Sequence, residues 1–108
     1  MRRDEDWMED ILEGIEQIRK YSVEGRERFE KDELVQNWIL RHLEIIGEAA
    51  GNVSLATRKK AVGVPWQEII GMRNILAHEY FGIDLEIIWN VVEKELSKLE
   101  EEVKKLSK

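Results

Sequence analysis

From Leu34 to Gly51 the chain reads "LVQNWILRHLEIIGEAAG", and this stretch decides the fold. Nearly every position is apolar except one stripe, Asn37, Arg41, Glu44 and Glu48, spaced by four, three and four. At about 100° per residue those four side chains share one narrow helical face. The rest of the helix is expected to be buried, with Gly51-Asn52 ending it.

The neighbouring segments have the same character. Upstream, Met8, Ile11, Ile15 and Ile18 recur at spacings of three and four, one face of a helix from about Asp6 to Tyr21. The charged "EGRERFEKDE" then reads as a turn leading into the second helix. Downstream, Ser54 can cap a short helix, "LATRKKAV", closed by Gly63. Pro65 stands where a first helical residue belongs and opens "WQEIIGMRNILAHEYF". Gly82 breaks that helix and Asp84 caps the last one, whose stripe is Ile88, Val92, Leu96, Leu99, Val103 and Leu106. Four main helices, one short helix and no strand signal predict an all-α, up-and-down helical bundle. Residues 1–108 form one domain in this reading, without repeats or low-complexity segments.

Composition narrows the function classes. With 43% hydrophobic and 37% charged residues, the 108-residue chain has the make-up of a globular protein with a densely charged surface. No stretch approaches the roughly 18 apolar residues of a membrane span. The opening "MRRDEDWMED" has acids where a secretory signal would be apolar, so a cytoplasmic location is expected. Zero cysteines exclude disulfides, thiolate catalysis and zinc sites built on Cys. The abundant Glu and Lys with a single proline would also suit a heat-adapted source. A formal net charge of -6 argues against a sequence-tolerant nucleic-acid coat, yet leaves room for a small positive site that grips a phosphate.

One stretch asks a chemical question. "GMRNILAHEYFGID", from Gly71 to Asp84, sets Arg73, Asn74, His78 and Tyr80 close together on an otherwise apolar helix. With Arg73 at zero, steps of about 100° put Ala77 near 40°, Asn74 near 100°, His78 near 140° and Tyr80 near -20°. Ile69, Met72 and Leu76 fall on the opposite side, between about 260° and 320°, and face the core. Asn74 and His78 stack at i, i+4, Arg73 and Tyr80 at i, i+7, with small Ala77 between the rows. Arg73 and His78 do not share one strict face. To touch one ligand, the guanidinium must reach across Ala77, or a second subunit must complete the site.

A plain reading stands beside this. A lone Arg and His on an amphipathic helix commonly form a solvated face, and so can the stripe of Asn37, Arg41, Glu44 and Glu48. His42 lies in the apolar arc of its helix and is expected to be a hydrogen-bonded core histidine. Trp7, Trp38, Trp66 and Trp89 read as core and interface anchors rather than a base-stacking platform. No metal is expected: the two histidines are on different helices, and no acidic cluster accompanies His78 at ligand spacing. "GNVSLATRKKAVG", before Pro65, carries no motif.

The Arg-x4-His-x-Tyr pattern of "RNILAHEY" resembles the signature of HEPN-domain proteins of the HepT type. "RHLEIIGEAA", "VPWQEIIGMRNILAHEYFGIDLEIIW" and the helical frame from Asp6 extend the resemblance over nearly the whole chain. It implies an all-helical homodimer acting as a ribonuclease toxin on RNA, paired with a minimal nucleotidyltransferase antitoxin in a type VII-like system. On this sequence it implies catalytic Arg73 and His78, a supporting Asn74, and Tyr80 as the residue the antitoxin adenylylates. RNA carries its own nucleophile, the 2′-OH, so the reaction needs no cofactor or metal to make one. It needs a base near neutral pH, which His78 supplies, and a cation for the charge on phosphorus, which Arg73 supplies.

Two-fold packing would bring two Arg73 and two His78 side chains into one cleft, and small Gly71 and Ala77 would let the partner approach. Glu48 is a candidate to balance the facing arginines when no phosphate lies between them. Two other classes stay open: a non-catalytic helical module that binds a nucleotide or the nucleotidyltransferase, and a plain dimerisation protein.

Overall fold

The computed structural model describes the backbone of residues 2–78 and 84–106, and side chains over the same ranges except 73–78. Its helices are α1 (Asp4–Ser22), α2 (Arg26–Lys31), α3 (Glu33–Asn52), α4 (Leu55–Arg58), α5 (Trp66–His78), α6 (Leu85–Asn90) and α7 (Leu96–Leu106). A 3-10 turn (Lys59–Ala61) follows α4, and a π-helical turn (Val91–Glu95) joins α6 to α7. No strand occurs among the described residues. The all-α bundle expected from the sequence is what forms.

α3 is the central element and packs against both α1 and α5. Val35, Ile39, Leu43, Ile46, Ala49 and Ala50 are buried along it. Asp32 starts it, its carboxylate accepting from the N–H groups of Leu34 and Val35. α3 ends at Asn52, within the expected Gly51-Asn52 pair, though not through a left-handed residue: Gly25 is the one described residue with positive φ, and Val53 turns extended. One expectation for α3 needs correction. Not everything off the polar stripe is buried, because Leu34 is exposed in the first turn.

α1 meets α3 through Gly14, where a Cβ would lie 2.7 Å from Cγ1 of Ile46. Ile46 is itself fully buried and has nowhere to move. The charged stretch after α1 is more than a turn. Residues 26–31 form α2, because Phe29 drops into the core and packs its ring 5.3 Å from that of Trp89. A short charged helix with one buried aromatic offers no periodicity from which to read it.

A polar clamp fixes the corner between α3 and α5. Asp4 accepts from the backbone N–H and hydroxyl of Ser54 (3.0 and 2.7 Å) and from the Thr57 hydroxyl. These bonds, from Thr57 first and then Ser54, hold its carboxyl below the usual range. Ser54 caps α4 as expected. Arg58 donates to the carbonyls of Val53 and Gly51, each at 3.0 Å. Trp66 donates from Nε1 to the Ala61 carbonyl and anchors the start of α5. Pro65 sits one place earlier than expected, as the cap whose carbonyl receives the first bond, from Ile69.

The last helix is one rod with a wide turn in its middle. Ile88, Val92 and Leu96 step by four, which in an α-helix drifts about 40° each time. The π turn, with Leu96 N–H bonded to Val91 C=O, absorbs that drift. All three stay buried, as do Leu99 and Val103. Asp84 caps α6 as expected, whereas Gly82 lies outside the described residues.

The glycines give a test of this packing. At Gly14 a methyl group adds about 1 kcal/mol of helix preference but overpacks Ile46 at about 1–3 kcal/mol, so Gly14→Ala should lower stability by about 1 kcal/mol. At Gly71 a Cβ meets nothing within 4 Å among the described residues, so Gly71→Ala should raise the stability of the isolated subunit by up to about 1 kcal/mol. Urea unfolding should give opposite signs for the two.

Candidate functional site

α5 positions the candidate site. Its first turns are held by Trp66, and Ile69 and Met72 are buried, the side on which the sequence places them. The helix continues through His78, so Arg73, Asn74 and His78 stand on regular helical backbone. Their angular relations are therefore those read from the sequence: Asn74 and His78 one turn apart, Arg73 rotated about 140° from His78. The side chains of Arg73, Asn74, Leu76, Ala77 and His78 lie outside the described residues, and so does Tyr80.

Glu48, the supporting acid named from sequence, is exposed on α3. It lines a cleft of about 260 Å³ with Trp7, Asp10, Arg41, Glu44, Ile45 and Ala49. Arg41 stands 3.7 Å from Glu44 across one turn, so the α3 stripe is a partly paired, solvent-facing row. The sequence reading missed the far wall, formed by Trp7 and Asp10 of α1. Arg2 rests its guanidinium 4.0 Å from the centre of the Trp7 ring and pairs with Asp10 at 2.8 Å. The acidic "DEDWMED" carried that signal only as a charge run.

The second histidine is not what its place in the apolar arc predicted. His42 is half-buried and forms no hydrogen bond among the described residues; its ring packs 4.7 Å from that of Trp38. Trp38 in turn meets Tyr21 edge-on at 5.6 Å and donates to the Gln17 carbonyl at 2.7 Å. The tilted Trp38 ring, at 55° to the imidazole, packs beside it, and the histidine is only partly enclosed. The tryptophans are anchors as expected. Trp66 and Trp89 are buried, Trp7 and Trp38 half-buried.

A second groove lies between α5 and α6, of about 460 Å³, lined by Gly71, Met72, Ile87 and Val91 with Glu68, Glu86 and Glu95 at its rim. It leaves the helix backbone at Gly71 open to close approach. Among the described residues no three His, Asp or Glu side chains gather as a metal site. No described helix is long and apolar enough to cross a membrane.

Comparisons with known proteins bear on this arrangement. The family model described as ribonuclease HepT-like matches residues 11–106. The chain is 37% identical over 108 residues to the "Probable ribonuclease HepT" of Thermococcus cleftensis, covering 99% of this chain and 98% of that one. It is 41% identical over 110 residues to a "Putative RNase" of Caldanaerobacter subterraneus subsp. tengcongensis, covering 98% and 96%. It is also 41% identical over 108 residues to a "Gamma-glutamylcyclotransferase and putative RNase" of Methanocaldococcus jannaschii, where 98% of this chain spans only 49% of that protein. No solved structure matches.

His42 offers a measurement. Burial first, and then the neighbouring Arg41, push its pKa below the ordinary value of about 6.5. A lowered folded pKa means the neutral form is favoured by folding, so this contribution is full above about pH 6.5 and is lost as pH falls through the folded value. Two-dimensional NMR should show His42 titrating below the ordinary value. Trp38→Ala should move it upward by restoring solvent.

Proposed function

Because this chain belongs to the HepT-like ribonuclease family, we propose that it is a metal-independent endoribonuclease toxin working as a homodimer, its single helical domain paired with a minimal nucleotidyltransferase antitoxin in the cytoplasm. The observation that carries the reading is the unbroken helix through Arg73, Asn74 and His78 in a chain matched to that family from residue 11 to 106.

His78 acts as general base on the 2′-OH. The freed oxygen attacks the adjacent phosphorus, forming a 2′,3′-cyclic phosphate and expelling the 5′-oxygen, which takes a proton from an acid. Arg73 stabilises the extra negative charge on the phosphorane, and Asn74, one turn before His78, orients the imidazole or a phosphate oxygen. The rotation of about 140° between Arg73 and His78 favours a cleft completed by a second copy, whose His78 serves as the acid. Gly71, with no neighbour over its Cα, gives the close approach such packing needs. Glu48, exposed on α3, is the acid proposed to offset the arginine charge.

The assay is purified protein with labelled RNA. Cleavage should persist in chelator and leave 2′,3′-cyclic ends. Arg73→Ala and His78→Ala should each cost about 100-fold or more while remaining folded. Activity that vanishes on chelation and returns with a divalent metal contradicts the mechanism.

Tyr80 is the proposed regulatory handle. An AMP on its phenol brings a phosphate to the Arg73 row and blocks the place where RNA phosphate binds. Co-expression with a cognate nucleotidyltransferase should add AMP to Tyr80 and abolish cleavage, and Tyr80→Phe should escape. Mass spectrometry finding the modification elsewhere refutes this account.

A further inference from the structure

Between Glu48 and Glu68 the chain holds no Asp or Glu, although it carries 23 acids in all. The same interval supplies Arg58, Lys59 and Lys60. Arg58 is committed to the carbonyls of Val53 and Gly51 and lies near Asp4. Lys59 and Lys60 are exposed on the 3-10 turn and form no ion pair among the described residues. Lys98 of α7 joins them, because its Cε passes 3.7 Å from where a Cβ on Gly63 would stand, and it too forms no ion pair among the described residues. Several cations elsewhere are neutralised locally: Arg26, Arg28 and Lys31 pair with acids one turn away, as do Lys104 and Lys105. Arg3, Lys20 and Lys94 stand in no ion pair among the described residues, but each has acids close by in the chain, whereas Lys59 and Lys60 lie in the acid-free interval.

Beside them runs a shallow groove of about 440 Å³. Leu55, Val62, Val64, Pro65 and Trp66 form its apolar wall, and Lys59 stands on its edge. Leu55 and Val62 are 66% and 85% exposed, far more than their size favours unless something covers them. The one acid on the groove is Glu68, at its α5 end. Cations that track a backbone beside an apolar surface that accepts base faces are the two elements of single-strand recognition. The groove also abuts the first turn of α5, and Trp66 to Arg73 is seven residues, about 10 Å along that helix.

We propose that Lys59, Lys60 and Lys98, with the groove of Leu55, Val62 and Pro65, form an accessory surface that holds single-stranded RNA outside the cleavage site. The proposal rests on the ribonuclease reading for its ligand. Phosphates on the lysines and a base on the apolar wall place the strand so that it continues along α5 toward Arg73. The surface acts on long substrates and contributes nothing to a dinucleotide that reaches only the motif.

The test compares the full wild-type chain with the Lys59→Glu/Lys60→Glu and Lys59→Gln/Lys60→Gln double variants. Neither lysine has a partner to lose, and circular dichroism checks that the fold is kept. Binding to poly(U) is measured across salt concentrations. Two lost phosphate contacts should make the slope of log K against log salt shallower by about 1.4. KM for long RNA should rise, more for Glu than for Gln, while cleavage of a dinucleotide stays at the wild-type rate. Poly(U) affinity and slope unchanged in both variants overturn the proposal. So does poly-glutamate binding as strong as poly(U) and lost in the same variants, which marks an acidic-protein dock. Binding requires no cleavage, so the two readings fail separately: a wild-type chain that binds poly(U) through these lysines but cuts nothing refutes the ribonuclease reading alone.

Discussion

The contact between Gly14 and Ile46 sets the spacing of everything else. With no Cβ at Gly14, α1 settles onto α3 until the Ile46 side chain fills the gap. α3 then has one flank occupied and offers the other to α5, which it also packs. Once α3 is enclosed on both sides, its polar row and its first turn remain for solvent, and the short elements have to close the ends. Phe29 under Trp89 closes one end, and the Asp4–Ser54–Thr57 clamp ties the corner after α3 back to the start of α1. The helix that carries the candidate chemistry is thus held at its beginning by Trp66 and along its core side by Ile69 and Met72.

How much of this was legible follows from what each element depends on. α1, α3, α5 and the terminal rod are long and amphipathic, so their own periodicity declares them. Ser54 and Asp84 announce helix starts because capping is local chemistry. α2 was not legible: its stability comes from one phenyl ring in a pocket built by distant residues. The π turn was half legible, since the four-residue steps from Ile88 to Leu96 hold the drift that it corrects, but periodicity alone does not say where a helix widens. Gly51-Asn52 marked the end of α3 correctly, but the means of stopping was not legible: extended Val53 follows Asn52, and Arg58 bonds the freed carbonyls of Gly51 and Val53.

The candidate site divides in the same way. A motif is a local pattern, so Arg73, Asn74 and His78 could be assigned to one helix and to angles on it, and α5 has the required length. What partners those side chains is tertiary or quaternary and is not written in spacing. Glu48 illustrates the limit. Its row on α3 was evident, but the facing wall of Trp7 and Asp10 comes from a helix far away in sequence. His42 was misjudged for a related reason: hydrophobic neighbours along a helix specify a face, not a depth, and His42 lies half-buried beside a half-buried Trp38.

Net charge proves the least informative of the global quantities. A value of -6 describes the far field, which disfavours a polyanion approaching from a distance. Within about 10 Å, the screening length at ordinary ionic strength, the local arrangement decides instead. Helical pairs such as Arg26–Glu30 and Lys31–Glu27 cancel each other at that range, and an acid-free stretch beside an unpaired Lys98 does not. An acidic exterior with one positive corner therefore suits an enzyme that must engage RNA without coating it. Non-productive contacts over the rest of the surface are weakened by repulsion. On the proposed reading, a strand is retained where Lys59 and Lys60 stand in the acid-free stretch, next to the helix that bears the Arg-His motif.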